Sequence, residues 1–178
     1  GSRVLAPRDS GELFEALDKK TLYAARWGYR RADFAEAERE LDKLRAFVGE
    51  RGLLDAKAVY GFFGCRRDGG AVLRVDDPAR PGEPRSFVFP VEKAYPGRCL
   101  TQYYADTRDI FPAFAATVGC LLPAEARALR ESGKMEEYWR LHGLASALAE
   151  AMAEIAHRAL SRELAAAGLS AKASRGRR

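Results

Sequence analysis

The chain has few of the residues from which most metal and disulfide sites are built. Its 178 residues include three cysteines, Cys65, Cys99 and Cys120, and none of them forms a C-x-x-C pair. An odd number of scattered cysteines argues against a disulfide framework and fits a reducing compartment. With only His142 and His157, the sequence offers no close ligand cluster, so we expect no metal site.

Long apolar runs and common catalytic motifs are missing as well. No stretch approaches the roughly 20 apolar residues of a membrane-spanning helix, and the N-terminus lacks the apolar segment of a signal peptide. The sequence also contains no P-loop, dinucleotide-binding fingerprint or G-x-S-x-G elbow. We therefore expect a cytoplasmic protein without a membrane span.

The charge is moderately basic and mostly balanced along the chain. There are 30 Lys and Arg against 25 Asp and Glu, which gives a net charge of +5. The only clear basic block is residues 172–178, where small residues separate the charges, and this pattern is typical of disorder. We predict one domain over residues 3–168 and a disordered basic tail over 169–178. No motif of a nucleic-acid-binding fold is present, so nucleic acid is not an expected partner.

The hydrophobic pattern predicts an α+β fold. Its sheet is expected to be mixed, mainly antiparallel and twisted, with flanking helices and a long C-terminal helix. Apolar residues at steps of three and four, from Leu141 to Ala159, place that helix at about 135–166, closed by Gly168. The strands are predicted at 58–63, 71–75, 86–91 and 113–119, with a turn at 66–70 making a hairpin of the first two.

Shorter helices are predicted from local start and stop signals. Ser10 is a candidate cap for a helix that ends near residue 17. Asp33 followed by Glu36 reads as a capping box, and Gly49 or Gly52 would end the helix that it opens. Another helix is expected around residue 123, where a proline suits the first turn.

Four stretches, taken in order, carry a resemblance to a known family. The strand, turn and strand of residues 58–73 have a V-x-G-x-F core before a polar turn, and Phe89-Pro90 is followed by Cys99-Leu100. Residues 109–119 are similar to D-x-x-x-A-F-A-V-T-x-G, with Ala116 in place of the valine, and residues 144–157 are similar to L-A-D-R-L-A-E-A-F-A-E-Y-L-H. In these motifs the chain resembles the activation domain of cobalamin-dependent methionine synthase.

The resemblance implies a ligand and two residues that would hold it. In the family this domain binds S-adenosylmethionine over the corrin ring and allows reductive methylation of inactive cob(II)alamin, with an electron from flavodoxin. The family's acid in I-D-W-T-P-F-F falls on Asp18, and the glutamate of L-A-E-A-F falls on Glu150. Each has an alternative: Asp18 as a surface or helix-capping acid, and Glu150 as a solvated helix residue.

The resemblance also suggests a partner surface. Tyr103 and Tyr104 are expected to share a concave face with Asp18 and Glu150, which would dock on a cobalamin-binding module. Alternatively, the paired tyrosines pack at the end of a sheet. Cys99 is expected to be a small buried residue with no catalytic role, and we assign no catalytic residue to the chain.

The chain departs from the family in ways that bear on function. It lacks the family's G-Y-P segment, and it lacks the D-x-H-x-x-G motif that ligates cobalamin. We therefore expect a shortened, free-standing relative that binds S-adenosylmethionine weakly or not at all and meets cobalamin only through a partner. Its predicted role is to assist methyl transfer or reductive reactivation on a separate methyltransferase, with a flavodoxin-type reductant. The alternative is a non-catalytic interaction protein that kept the fold but lost the ligand.

Overall fold

The computed structural model describes residues 2–93 and 98–169. Within them, five strands and five α-helices follow one another in the mixed order of an α+β protein, and the predicted fold class is confirmed. In chain order these are β1 (Arg3–Leu5), α1 (Ser10–Glu15), α2 (Lys19–Thr21), α3 (Phe34–Glu50), β2 (Lys57–Arg67), β3 (Val72–Val75), β4 (Arg85–Val88), β5 (Asp109–Thr117), α4 (Leu121–Glu131) and α5 (Met135–Ala166).

The strands form one five-stranded sheet in which β2 has several neighbours. The order is β1-β2-β3-β4, and β5 also pairs with β2. The β2–β3 hairpin is antiparallel, with Arg66 opposite Arg74, and β3–β4 is antiparallel, with Leu73 opposite Phe87. The length of β2, 11 residues, allows it to pair with different strands along its course.

The predicted hairpin is confirmed, but its turn is shorter than expected. β2 continues to Arg67, so the chain reverses around Gly69, which has a φ of 72°. The Asp68 N–H donates to the Val72 carbonyl at 2.9 Å and closes the turn. The connection therefore has four residues, 68–71, instead of the five expected at 66–70, and glycine at position 69 supplies the positive φ without steric cost.

The ends of two further strands differ from the prediction, and β1 was not predicted. β4 ends at Val88 instead of 91, since Pro90 has no N–H with which to continue the ladder. β5 begins at Asp109, before the expected residue 113, and stops at Thr117. Gly119, at a φ of 87°, turns the chain away from the extended conformation.

The predicted capping box at the start of α3 is wrong. The Asp33 side chain accepts no hydrogen bond from the first turn of α3. Its Oδ2 instead accepts from Arg30 Nε at 3.2 Å, and a 3₁₀ turn at Arg31–Asp33 leads into the helix. This turn gives Asp33 a φ of −100° and a ψ of 8°, unlike the extended backbone of a capping residue. The expected helix end is confirmed, because α3 stops at Glu50.

The described residues fall into two compact units. The helical unit comprises Val4–Val59 and Phe114–Ala159, and the hairpin unit comprises residues 2–3, 60–93, 98–113 and 160–169. The predicted division at residue 168 stays a prediction, and residues 170–178 of the expected tail lie outside the described residues. In the part of the chain that is described, no helix has both the length and the apolar character needed to cross a bilayer.

The core of the helical unit is built around the apolar stripe of α5. The helix has the predicted bounds, Met135–Ala166, and Gly168 follows it with a φ of 71°. Its stripe meets α1, α3, α4 and the ends of β2 and β5 that belong to this unit. Fully buried side chains of this core include Leu13, Leu22, Leu122, Leu141, Leu144, Leu148 and Met152.

The hairpin unit has a smaller core of its own. Cys65, Leu73 and Val75 are buried on one face of the β2–β3 hairpin. Half-buried aromatic side chains cover them, namely Phe63, Phe89, Tyr104 and Phe111. Burial raises the pKa of the Cys65 thiol to about 11, so this cysteine is an inert core residue at neutral pH.

Replacing Gly119 with alanine tests the turn after β5. A Cβ at this position would lie 2.9 Å from Asp55 Cβ, and the φ of 87° disfavours any residue with a side chain. We expect Gly119→Ala to lower the free energy of unfolding by about 1–3 kcal/mol. Gly49→Ala is the control, since nothing lies within 4 Å of its Cβ position in α3. It should raise that free energy by about 0.5–1 kcal/mol. Urea denaturation measures both changes, and equal effects would contradict the assignment.

Candidate functional site

A cleft in the helical unit brings the two predicted ligand-binding carboxylates together. Its volume is about 310 Å³, and both Asp18 and Glu150 line it. Such a volume lies at the lower end of the range for small-molecule sites, roughly 300–1,000 Å³. One wall comes from Ala16, Asp18, Thr21, Leu22 and Arg26, and the other from Ala147, Glu150, Ala151 and Glu154 of α5.

Asp18 is held in place by the helix that it caps. Its Oδ1 accepts from the Thr21 backbone N–H at 3.0 Å, and its Oδ2 accepts from the Thr21 hydroxyl at 2.6 Å. These two hydrogen bonds lower the pKa of Asp18 below its usual value, and the bond from the Thr21 hydroxyl has the larger effect. The carboxylate is therefore ionised at neutral pH. The capping role expected as an alternative is present, and the ligand role stays a prediction.

Glu150 already has a cationic partner within the cleft. Arg26 Nη2 donates to Glu150 Oε1 at 2.5 Å, while Arg26 Nε is buried without a hydrogen-bond partner. The Arg26 side chain is 27% exposed and that of Glu150 is 66% exposed. The glutamate can therefore meet a ligand from solvent, but its charge is partly neutralised before any ligand arrives.

A local change of helical register directs Arg26 toward α5. After α2 the chain continues as a π-helical turn, Leu22–Arg26, in which the Trp27 N–H donates to the Leu22 carbonyl. The Trp27 indole Nε1 donates to the Arg140 carbonyl at 3.0 Å. Gly143 permits this approach, since a Cβ there would lie 3.0 Å from the indole nitrogen. Such π-helical turns are common at functional sites.

The lining of the cleft suits binding rather than covalent chemistry. Leu22, Ala147 and Ala151 provide a buried apolar wall between the charged groups. The one hydroxyl, on Thr21, is already donated to Asp18. Three carboxylates line the cleft, and Glu154 is already paired with Arg158. The other two, beside an apolar wall, can hold a molecule that combines a cationic group with an apolar body. None of the lining residues offers a free nucleophile.

The two predicted partner-binding tyrosines belong to the hairpin unit, which is described by itself. Tyr103 ends a 3₁₀ turn, Leu100–Tyr103, and is 72% exposed. Tyr104 is half-buried, and its ring centroid lies 6.0 Å from that of Phe111. Burial raises the pKa of the Tyr104 hydroxyl. Packing at a sheet end, the expected alternative, describes Tyr104, and a role for either tyrosine in partner binding stays a prediction.

Cys99 is a small buried residue, as predicted. It is 7% exposed, and its Sγ donates to the Phe89 carbonyl at 3.8 Å. Hydrogen bonds from the Thr101 hydroxyl and backbone hold the pKa of its thiol below the usual value. Within residues 2–93 and 98–169, no three His, Cys, Asp or Glu side chains are grouped so that they could hold a metal ion.

Sequence reasoning missed Arg26, the one cation that lines the cleft. Its contact with Glu150 joins residues that are 124 positions apart. Neither the spacing of the arginine from Asp18 nor the periodicity of α5 indicates such a pair. Thr21 was also missed, although an aspartate at position 18 is itself a residue type that commonly caps a helix through the backbone three residues on.

Comparison with known proteins shows what the chain is similar to. No family model matches the chain. The methionine synthase of Mycobacterium tuberculosis is 25% identical over 191 aligned positions, and the match covers 94% of this chain and 16% of that protein. The methionine synthase of Mycobacterium leprae is 25% identical over 193 aligned positions, with the same coverage of each chain. The chain thus spans only 16% of the length of these relatives.

A solved structure shows the same fold. The MetH reactivation domain bound to AdoHcy superposes with a TM-score of 0.71 at 21% identity, over 89% of this chain and 54% of that one. The chain has the fold of a methionine synthase reactivation domain. The resemblance expected from the four motifs is therefore confirmed, and it extends over nearly the whole of this reactivation-domain-like chain.

Proposed function

We propose that this chain assists cobalamin-dependent methionine synthesis. In this role it acts on a cobalamin-binding methyltransferase module, where it promotes methyl transfer or reductive reactivation of the corrinoid. Similarity to methionine synthases over 94% of the chain supports the class of reaction. The observation that carries the proposal is the meeting of Asp18 and Glu150 in one cleft, as the resemblance implied.

The cleft would bind S-adenosylmethionine through charge and apolar contact. The Glu150 and Asp18 carboxylates would hold the ammonium group or the ribose hydroxyls, and their charge favours a sulfonium. The wall of Leu22, Ala147 and Ala151 would receive apolar parts of the nucleoside. When bound, S-adenosylmethionine supplies a methyl group for transfer. The chain's own residues only bind and orient it.

Binding is expected to be weak because both carboxylates already have partners. A ligand cation must displace or share Arg26 at Glu150, and Thr21 occupies both oxygens of Asp18. Exchanging one charge-assisted hydrogen bond for another leaves only a small gain in free energy. Cobalamin would be reached only through the partner module, and a flavodoxin-type reductant would supply the electron.

Glu150→Gln tests the cleft and the function together. The protein is mixed with a cobalamin-loaded methyltransferase and S-adenosylmethionine, and the corrin absorption spectrum and the rate of reductive methylation are followed. The unmodified protein should shift the spectrum and accelerate reactivation. The variant should bind S-adenosylmethionine about tenfold more weakly in calorimetry, as the loss of one charged hydrogen bond predicts.

The control is Glu131→Gln, which makes the same charge change at an exposed position of α4. The control variant should shift the corrin spectrum and accelerate reactivation as much as the unmodified protein does. The accessory role would be wrong if a high excess of the unmodified protein changed neither the corrin spectrum nor the reactivation rate of the methyltransferase, and if gel filtration showed no complex.

The pairing of Arg26 with Glu150 and of Thr21 with Asp18 also favours a second function. If Arg26 and Thr21 keep the carboxylates permanently engaged, the chain would act as an interaction protein that retains the fold without the ligand. This alternative predicts a complex with the methyltransferase whose formation does not depend on S-adenosylmethionine. Gel filtration with and without the nucleoside, together with calorimetry on the chain alone, distinguishes the two functions.

A further inference from the structure

Two arginines face each other across the β2–β3 hairpin of the hairpin unit. Arg66 and Arg74 are direct partners in the antiparallel register. The register is held on both sides, because the Asp76 N–H donates to the Gly64 carbonyl at 2.8 Å and the Asp68 N–H donates to the Val72 carbonyl at 2.9 Å. Like charges directly opposite each other destabilise a sheet, and these side chains share a face. The pair therefore needs a compensating negative charge.

The protein supplies only part of that charge. Arg74 Nε lies 2.5 Å from Asp68 Oδ2, but at an angle that makes no hydrogen bond. Arg66 takes part in no ion pair with any described residue, and the same holds for Arg108, just before β5. By contrast, Arg67 forms a two-point ion pair with Asp106, at 2.5 and 2.8 Å.

Three arginines, Arg66, Arg74 and Arg108, line a single cleft of about 330 Å³. Asp76 is the one carboxylate among its lining residues, and it lies over Gly64, where a Cβ would strike it. The lining thus carries a clear excess of positive charge. Its residues are Cys65, Arg66, Arg74, Asp76, Gly82, Pro84, Thr107 and Arg108.

The geometry points to an oxyanion site in this cleft that binds the phosphate group of a small molecule. A guanidinium group can donate two parallel hydrogen bonds to the oxygens of one phosphate. Three guanidinium groups from three separate segments therefore suit an anion with several oxygens. The anion would also relieve the repulsion between Arg66 and Arg74. S-adenosylmethionine carries no phosphate, and the cleft that contains Asp18 and Glu150 is in the other unit, so this site lies beyond the proposed function.

Titration with inorganic pyrophosphate at low ionic strength tests the site. We expect saturable binding in calorimetry, and Arg66→Gln and Arg108→Gln should each weaken it about tenfold. Arg158→Gln makes the same charge change on α5 in the helical unit and should leave the affinity unchanged. Absence of binding, or an equal loss in the control, would overturn the proposal. Citrate is the carboxylate probe, and binding of citrate as tight as that of pyrophosphate would overturn the assignment to phosphate.

The unfolding temperature separates a binding role from a structural one. Arg66→Gln removes a like-charge contact, so its midpoint without ligand should equal or exceed that of the unmodified protein. Pyrophosphate should raise the midpoint of the unmodified protein but not that of the variant. A lower midpoint for Arg66→Gln would indicate a structural role. Arg108 is not part of the β2–β3 pairing, so Arg108→Gln can be used for the same binding test if Arg66→Gln does not fold.

Discussion

Leu148→Ala is expected to lower the free energy of unfolding by about 2–5 kcal/mol. Leu148 is fully buried in the core of the helical unit, where the stripe of α5 meets the other helices. Truncation removes three carbon atoms of apolar contact and leaves a cavity that a close-packed core refills only in part. Urea denaturation followed by circular dichroism measures the change, because α5 is the longest helix of the described chain.

Leu148→Met is the matched control for that measurement. It keeps the volume and the apolar character of the side chain, so we expect a loss of less than about 1.5 kcal/mol. A loss for the alanine variant no larger than that of the methionine variant would show that the site collapses freely. In that case Leu148 would not be part of a tightly packed core.

Elements with a long, regular hydrophobic period were the ones that sequence could predict. The bounds of α5 follow from apolar residues at helical spacing and from Gly168, which supplies the positive φ after the last turn. The β2–β3 hairpin follows from two apolar runs around a glycine turn. In both cases the local pattern and the tertiary packing favour the same structure.

The misses occur where a tertiary contact or a short element decides the conformation. β1 has only three residues, too few to show any period. The Asp33 side chain turns to Arg30 and does not cap α3, although its sequence context is that of a capping box. A motif of this kind describes what a side chain can do, whereas competing partners decide what it does.

The residues of the candidate site also divide into those that the sequence could predict and those that it could not. Asp18 and Glu150 were found through family motifs and lie in one cleft. Arg26 was not found, because its partner lies far along the chain and the π-helical turn that aims it has no sequence signature. The arginine pair in the hairpin became visible only when the register placed Arg66 opposite Arg74.

Arg26→Gln should increase the affinity for S-adenosylmethionine about tenfold. The substitution frees Glu150 from its ion pair and removes a positive charge that would repel the sulfonium of the ligand. For a partly exposed pair the first effect is worth at most about 1 kcal/mol. Repulsion between two unit charges a few ångströms apart near a protein surface adds about 1–4 kcal/mol, reduced by solvent. Because the Glu150 side chain is 66% exposed, the low end of both ranges applies. A total of about 1.4 kcal/mol corresponds to the expected change of one decade.

Comparing two nucleosides isolates the electrostatic cause. S-adenosylhomocysteine has a neutral thioether where S-adenosylmethionine has a sulfonium, so Arg26→Gln should increase its affinity less. Arg39→Gln, at an exposed position of α3, makes the same charge change and should alter neither affinity.

The double variant Arg26→Gln with Glu150→Gln should lose most of the gain, because the carboxylate that was freed is then gone. Calorimetric titration of both nucleosides into each variant provides the measurement. An equal gain for both nucleosides would indicate that Arg26 blocks the cleft by its volume. A reduced affinity would indicate that the guanidinium itself binds the ligand, and the pairing of Arg26 with Glu150 would then not be what limits binding.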